Sequence, residues 1–115
     1  MFKRLRHKFG ARRCERDGIK FPSKLEADCH RELLRLQSLG LVRLFLRQPT
    51  FDLPGGFRHK VDFLVFTADS ALFIEAKGKD LAMGRMKRLQ VEELYGVAIH
   101  VVRGPGALAA LIAES

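Results

Sequence analysis

Two short apolar segments at the centre of the chain constrain its fold more than any other feature. Val61–Thr67 and Ala71–Ala76 are rich in Val, Ile and Phe, and both have the length of a β-strand. Only three residues separate them, and this break is polar, so the pattern predicts a β-hairpin. Each segment also carries an acidic residue where a strand normally disfavours one: Asp62 begins the first segment, and Glu75 lies near the end of the second.

The register of this hairpin determines where the two acidic residues lie relative to each other. If Thr67–Ser70 form the turn, Asp62 lies opposite Glu75, and cross-strand partners on one face have Cβ atoms about 5 Å apart. Lys77 shares the face of Glu75 because side chains alternate along a strand. Two carboxylates directly opposite each other repel unless positive charge lies between them, and a divalent cation prefers such oxygen ligands. The open end of the hairpin therefore predicts a metal site; the alternative is an exposed salt bridge with Lys77 or Lys60.

Length and composition exclude several classes of protein. The chain has 115 residues, 47% of them hydrophobic, which is enough for one domain with a modest core. No apolar run approaches the roughly 18 residues of a membrane span, and the basic N-terminus lacks the apolar region of a secretory signal. Cys14 and Cys29 show neither metal-ligand spacing nor a disulfide framework. We therefore expect a cytoplasmic protein with no membrane partner.

Positive charge is concentrated at the N-terminus. The formal net charge is +8, and residues 1–20 hold eight Lys or Arg against two acidic residues. Such a segment favours contact with the phosphates of a nucleic acid, although a solubilising tail has the same composition. We divide the chain into a basic arm, residues 1–18, and one domain, residues 19–115. The candidate DNA contacts of the arm are Lys3, Arg4, Arg6, Lys8, Arg12 and Arg13.

Residues 21–40 carry the clearest helical pattern. Ser23 is a good N-cap and Gly40 a good C-terminal residue, and the apolar residues between them recur at helical spacing. Ser23 and Glu26 also match a capping box, in which the Glu26 side chain returns to the helix start. That capping role is the simpler interpretation of Glu26; the alternative is that Glu26 faces the two carboxylates of the hairpin.

The remaining segments complete an ordered series of helices and strands. Leu41–Leu46 is extended and apolar, and the residues after Asp80 turn helical, with an apolar face that we assign to the core and that comprises Met83, Met86, Leu89 (or Gln90) and Leu94. Val97–Val102 follows as a buried strand and Ala107–Ala113 as a last helix. The order helix, three strands, helix, strand, helix predicts an α/β fold with a mixed sheet, whose last strand is parallel to the hairpin strand that precedes the crossover.

This order and the placement of the charged residues resemble the PD-(D/E)XK nuclease superfamily. The sequence has Val61-Asp62, twelve further residues, and then Glu75-Ala76-Lys77; Val61 stands where the superfamily name has proline. The sequence is similar to those of small phage-encoded nucleases of a family formerly of unknown function and, more distantly, to those of archaeal-type Holliday-junction resolvases. The segments that carry this similarity are Asp17–Phe21, Ser23 to Glu26, Gln48-Pro49, Asp62-Phe63, Lys77-Gly78, Lys87 and Tyr95-Gly96.

The resemblance implies an αβββαβ core of the restriction-endonuclease type with a C-terminal helix, and a Mg²⁺- or Mn²⁺-dependent DNA endonuclease. Asp62 and Glu75 would bind the metal directly, helped by the carbonyl group of Ala76, and Glu26 would bind through water or hold a second ion. Lys77 would orient or deprotonate the attacking water. The implied substrate is duplex, branched or junction DNA, cut structure-selectively or with weak sequence specificity; the alternative is a non-catalytic nucleic-acid-binding domain.

Further residues are candidates for DNA contact, each with a simpler alternative. Lys87 and Gln90 lie three residues apart and share a helix face, which solvent alone could cover. His59 is not included, because an odd offset places it on the opposite face of a regular strand from Asp62. Substrates with two-fold symmetry favour a homodimer, although no stripe of the sequence defines an interface. The full set of these added contacts is Lys24, Gln48, Lys87 and Gln90.

Overall fold

The computed structural model describes residues 13–115, which form three helices and eight strands. The arm candidates Lys3, Arg4, Arg6, Lys8 and Arg12 lie outside the described residues. In chain order the elements are β1 (Cys14–Arg16), β2 (Ile19–Phe21), α1 (Lys24–Ser38), β3 (Leu44–Arg47), β4 (Thr50–Leu53), β5 (Phe57–Lys60), β6 (Phe63–Phe66), β7 (Ala71–Ala76), α2 (Ala82–Tyr95), β8 (Ile99–Val102) and α3 (Pro105–Glu114).

A four-stranded mixed sheet forms the centre of the fold. Its strand order is β3-β6-β7-β8; the first three strands are antiparallel neighbours, and β8 is parallel to β7 after the crossover through α2. This confirms the α/β class and the predicted parallel pair. Two smaller hairpins, β1–β2 and β4–β5, accompany the sheet. The sequence predicted a turn at Pro54–Gly56 but not a separate hairpin. In the structure these residues form a 3-10 turn that connects β4 to β5.

Helix α1 begins and ends where the sequence predicts. The Ser23 side chain accepts a hydrogen bond from the backbone N–H of Glu26 at 3.1 Å, which caps the first turn. Gly40 follows the helix in the left-handed conformation, with φ of 82°, a region that favours glycine. The predicted apolar stripe is largely buried, and its deepest members are Cys29, Leu33 and Leu36.

Apolar side chains form two cores, one on each side of the sheet. The first core lies between the sheet and the helices α1 and α3, and it includes Leu33, Phe63, Ile74 and Leu108. The second core lies toward α2 and the β4–β5 hairpin, and it is built from Leu53, Val61, Val91 and Ile99. Because β7 is covered on both sides, a charged residue on it is removed from water on either face.

Between β5 and β6, at Asp62, the alternation of side chains reverses, so that residues two apart point to opposite sides of the sheet. The register is continuous from β3–β6 through β4–β5, and the backbone N–H of Gln48 donates to the carbonyl of Asp62 at 2.9 Å. Gln48 nevertheless has a φ of 55°, and Asp62 lies in a bend between two strands. As a result Phe63 packs in the first core, whereas Val61, two residues earlier, packs in the second.

One prediction, about the buried face of a helix, was wrong. The helix α2 turns Arg88 and Val91 inward, while the apolar face assigned to the core is in large part exposed, with Met83 60% and Met86 49% accessible. The division into a basic arm, residues 1–18, and a domain, residues 19–115, stays a prediction. Strand β1 spans Cys14–Arg16, and Arg16 forms an ion pair with Asp28 of α1 at 2.9 Å.

Within the described part of the chain, none of the helices has the length and apolar character needed to cross a membrane.

Candidate active site at the open end of the central hairpin

Glu26 and Asp62 form a pair of carboxyl groups beside the first turn of α1. Glu26 is only 3% exposed although it stands in that first turn, and its carboxyl group shares a hydrogen bond with the side chain of Asp62. The other Asp62 contact comes from the neighbouring strand, where the backbone N–H of Ala76 donates to Asp62 Oδ2 at 2.7 Å. Glu26 therefore faces the hairpin, as the alternative interpretation of the sequence expected, while Ser23 still caps the helix.

The electrostatics of this pair favour one shared proton in the absence of other cations. The pKa of Glu26 is raised to about 7, chiefly by burial and then by the negative charge of Asp62, against a smaller opposing effect of Arg47. Burial also raises the pKa of Asp62, although the Ala76 N–H and the charge of Lys77 oppose that shift. Protonated Glu26 donates to ionised Asp62, so the pair carries one negative charge where two would repel.

Glu75 lies on the other side of β7, toward α2, and has its own counter-ions. It is fully buried, and its two carboxylate oxygens contact different partners: His59 Nε2 at one, and Arg88 at 3.2 Å at the other. Arg88 also donates to Asp80 Oδ2 at 2.7 Å. The sequence places Asp62 and Glu75 on one face, but in the structure their side chains point toward different helices.

His59 was excluded from the site because the alternation of a regular strand would turn it away. The exchange of faces at Asp62 removes the basis of that argument and brings His59 to Glu75. Arg88 was missed as well. No sequence signal indicated it, because the apolar residues of α2 indicate a different inward face from the one that buries Arg88 and Val91.

Lys77 lies just past the end of β7, close enough to Asp62 for its charge to act on that carboxyl group. Its side chain is half-buried, and its backbone N–H donates to Val102 of the parallel strand β8 at 2.9 Å. The spacing Glu75-Ala76-Lys77 therefore brings one cation to the open end of the hairpin, where its charge acts on Asp62.

Arg47 is a second cation near the carboxyl pair, and sequence reasoning did not identify it. Its guanidinium group lies over the ring of Phe21, 4.4 Å from the centroid, and approaches Glu26 Oε2 at 3.5 Å. A further contact to the carbonyl of Lys20 at 3.3 Å helps to fix its position. Arg47 lies at the end of an edge strand, where an arginine normally indicates nothing more than a solvated position.

The predicted DNA contacts are distributed over several surfaces. Lys24 is exposed and pairs with Asp28 at 3.3 Å, and Arg13 is exposed as well. The Lys87 ammonium group lies 5.8 Å from the ring centroid of Phe57, next to exposed Gln90. Gln48 is half-buried and is held by its backbone bond to Asp62. Among the described residues, these side chains make no hydrogen bond to Glu26, Asp62 or Glu75.

The residues present fit a hard divalent cation in part. Within residues 13–115 no cluster of three or more His, Cys, Asp or Glu side chains surrounds one point, because Glu75 is engaged by Arg88 and His59. Glu26 and Asp62 do offer adjacent carboxylate oxygens, which Mg²⁺ and Mn²⁺ prefer, and burial together with the charge of Asp62 raises the pKa of Glu26. The donor chemistry of Glu26 and Asp62 therefore fits such an ion, whereas Glu75 is held by Arg88 and His59.

The chain was also compared with known proteins. A family described as "Protein of unknown function (DUF1064)" matches residues 6–103, which includes every residue of the carboxyl pair and of the Glu75 cluster. No curated protein and no solved structure matches the chain.

Proposed function

The chain belongs to the DUF1064 family, and we propose that it is a Mg²⁺- or Mn²⁺-dependent DNA endonuclease of the PD-(D/E)XK type. One observation supports this most: Glu26, only 3% exposed in the first turn of α1, and Asp62, held by the backbone N–H of Ala76 at 2.7 Å, bring two carboxyl groups together at the open end of the hairpin. The sequence places these residues 36 positions apart, so the pair is a product of the fold and not of local composition. Bringing two carboxyl groups together away from water costs stability, and the contact of Arg47 with Glu26 at 3.5 Å opposes this cost less than burial and Asp62 cause it.

The chain's own residues have distinct roles in this proposal. Glu26 and Asp62, with Glu75 and the carbonyl group of Ala76, would hold the ion, which neutralises the anionic diester and lowers the pKa of bound water. Asp62 is kept in position by the N–H of Ala76 at 2.7 Å. Lys77 would orient the attacking water and stabilise the charge that develops on the phosphate. Arg47, held over Phe21, is available to contact a neighbouring phosphate oxygen.

Net charge supports a nucleic acid as the substrate. The chain carries +8, and the basic residues are most concentrated in the first twenty positions. The phosphate backbone supplies most of the affinity in weakly specific DNA binding. We propose a structure-selective or weakly sequence-specific enzyme, either a junction resolvase or a nickase, because the described residues contain one small domain and no second domain that could read a sequence.

The test is a cleavage assay on several substrates. Purified protein is incubated with a supercoiled plasmid, a linear duplex, single strands and a four-way junction, each with Mg²⁺, with Mn²⁺ or with EDTA. Cleavage should require the metal, and Asp62→Asn should lower its rate by about 100-fold or more while DNA binding is retained. Asp69→Asn is the matched control, since Asp69 is an exposed carboxylate at the opposite, turn end of the same hairpin. Equal cleavage by wild type and Asp62→Asn would reject the site.

A non-catalytic DNA-binding domain is the second candidate. The engagement of Glu75 by Arg88 and His59 favours it, because a metal site that keeps only Glu26 and Asp62 lacks one expected ligand. Tight binding of all the substrates above without cleavage under either metal would support this second function.

A further inference from the structure

Three exposed basic residues surround the loop that joins β7 to α2, and we call them the loop patch: Lys79, Arg85 and Arg103. Lys79 lies in the loop itself, Arg85 lies in the first turn of α2, and Arg103 directly follows β8. None of the three forms an ion pair with a carboxylate of residues 13–115. Other arginines of the surface do so, for example Arg35 with Glu32 at 2.6 Å. The loop patch therefore presents positive charge that the described part of the chain leaves unmatched.

Backbone carbonyl groups of the loop hold both arginines in place. Nη1 of Arg103 donates to the carbonyl of Gly78 at 3.0 Å, and Nη1 of Arg85 donates to the carbonyl of Asp80. A guanidinium group has five N–H donors, so one such bond leaves most of them available to another acceptor. A carbonyl group has no net charge, so both guanidinium groups keep their full positive charge. The loop thus orients two cations without neutralising them.

The acidic residue of the loop is already engaged by a different arginine. Arg88 donates to Asp80 Oδ2 at 2.7 Å, and this hydrogen bond does most to lower the pKa of Asp80. The charges of Arg85 and Arg103 act in the same direction, which shows that both lie near this one carboxylate. Together with buried Glu75, the loop and its neighbours carry five basic and two acidic residues, a net charge of +3. The five basic residues are Lys77, Lys79, Arg85, Arg88 and Arg103.

The loop patch adjoins the carboxyl pair. Lys77, at the start of the loop, is close enough to Asp62 for its charge to act on that carboxyl group. The next residue, Gly78, holds an arginine of the patch through its carbonyl group, and a Cβ at this position would lie 3.9 Å from the side chain of Leu25. Leu25 directly precedes Glu26 in the first turn of α1. A strand bound at the carboxyl pair would therefore reach the loop patch within a short distance.

We propose that the loop patch binds the phosphate backbone of the DNA strand that lies at the carboxyl pair, and so sets the direction in which the strand leaves the site. Arginine suits this role, because its planar group binds a phosphate through two parallel hydrogen bonds. None of the three residues was among the contacts expected from the sequence. The inference rests on the proposed function for the identity of the polymer, and it adds the surface over which the polymer runs. It requires no metal, since these side chains act through their own charge.

The experiment measures binding of the full chain to a fluorescently labelled DNA duplex by anisotropy, in EDTA, over a series of salt concentrations. Each phosphate contact contributes about 0.9 to the slope of log K against log salt. Arg85→Gln/Arg103→Gln should therefore flatten this slope by about 1.8. Arg85→Lys/Arg103→Lys keeps both charges and should keep the slope. If the two arginines only tether the loop, the Gln variant will melt at a lower temperature but retain the slope of wild type, and the proposal is then wrong.

Arg43→Gln is the matched control. Arg43 is exposed, forms no ion pair with a carboxylate of residues 13–115, and precedes β3 at the opposite edge of the central sheet from β8. Its loss should leave the slope unchanged; a flattening equal to that of Arg103→Gln would mean that any surface charge has the same effect, and would overturn the loop patch. Should the double Gln variant fail to fold, Lys79→Gln decides, and an unchanged slope there also overturns the proposal.

The outcomes separate this inference from the function on which it rests. If wild type cleaves DNA with metal but the slope does not depend on the loop patch, the patch is wrong and the nuclease assignment stands. If the slope depends on the patch but no metal supports cleavage, the nuclease assignment is wrong and the patch stands as the contact surface of a DNA-binding domain. If wild type does not bind DNA, both are wrong.

Discussion

The molecule buries carboxylates in two places and surrounds them with different partners. Glu26, with 3% exposure, lies beside the carboxyl group of Asp62 and has a single arginine contact at 3.5 Å, whereas fully buried Glu75 has an arginine and a histidine against its two oxygens. The same residue type therefore has a like charge beside it on the α1 side of the sheet and only basic partners on the α2 side. Burial alone does not mark a cation site; the identity of the partner does.

The largest effect should come from removing the partner of Glu75. Arg88→Met leaves a buried carboxylate with only His59 and should lower the free energy of unfolding by about 3 to 5 kcal/mol. Urea denaturation at pH 7.5 without metal measures this loss. Arg88→Met/Glu75→Gln should recover much of it, because the charge that needed a partner is then absent. A loss below about 1 kcal/mol would mean that Glu75 does not depend on Arg88.

The carboxyl pair should respond to pH in the opposite sense from an ordinary ion pair. The pKa of Glu26 is raised to about 7 in the folded chain, so between its ordinary value and 7 the folded state binds a proton that the unfolded state releases. Stability should therefore fall as pH rises through this window, by up to about 3 kcal/mol.

The control for that window is Glu26→Gln, which has no proton to lose. The lowered pKa of His30 acts in the other direction in part of the window, so the informative quantity is the difference between wild type and the variant. Denaturation curves collected from pH 5 to pH 8 should show the variant gaining on wild type as pH rises. A constant difference would contradict the shared proton.

Divalent metal should reverse this pH trend. A cation and a proton compete for the same two carboxyl groups, so Mn²⁺ should raise the melting temperature more at pH 8 than at pH 5.5. At a hundred times the dissociation constant, one bound ion adds about 2.7 kcal/mol. Differential scanning fluorimetry with and without EDTA measures the shift, and Asp62→Asn should lose it. An equal shift at both pH values would place the metal elsewhere.

The smallest effect is expected at an exposed ion pair. Asp52 and Arg58 contact each other at 3.1 Å across the β4–β5 hairpin, with side chains that are 81% and 73% exposed. Asp52→Asn should change the free energy of unfolding by less than about 0.5 kcal/mol, since water already solvates both charges. The same urea series as for Arg88→Met tests this, and a loss as large as the one at Arg88 would remove the contrast between buried and exposed pairs.

Local signals were sufficient to predict much of the fold. Ser23 and Gly40 define the ends of α1, and the turn at Thr67–Ser70 fixes the register in which Phe66 pairs with Ala71. These features depend on capping and on strand alternation, which act over a few residues. The parallel pairing of β7 and β8 follows from the crossover through α2.

Features that depend on how elements are oriented could not be predicted in this way. The contact of His59 with Glu75 requires the exchange of faces at Asp62, for which the non-glycine residue Gln48, with its positive φ, gives no sequence signal. The apolar face of α2 looks like a core stripe, yet Arg88 and Val91 take the inward positions because the hydrogen bonds of Arg88 hold that side against the sheet. For Glu26 the sequence left two interpretations open, a cap of α1 or a residue that faces the carboxylates of the hairpin.

The outward face of α2 gives the molecule two chemical reporters. The thioethers of Met83 and Met86 are accessible to dilute peroxide, which converts them to sulfoxides at a rate that follows solvent exposure. Mass spectrometry of the peptides from this helix can follow the two residues separately. A DNA strand lying along Lys87, or a second copy of the chain packed on the helix, would slow their oxidation. A ligand confined to the open end of the hairpin would leave both rates unchanged.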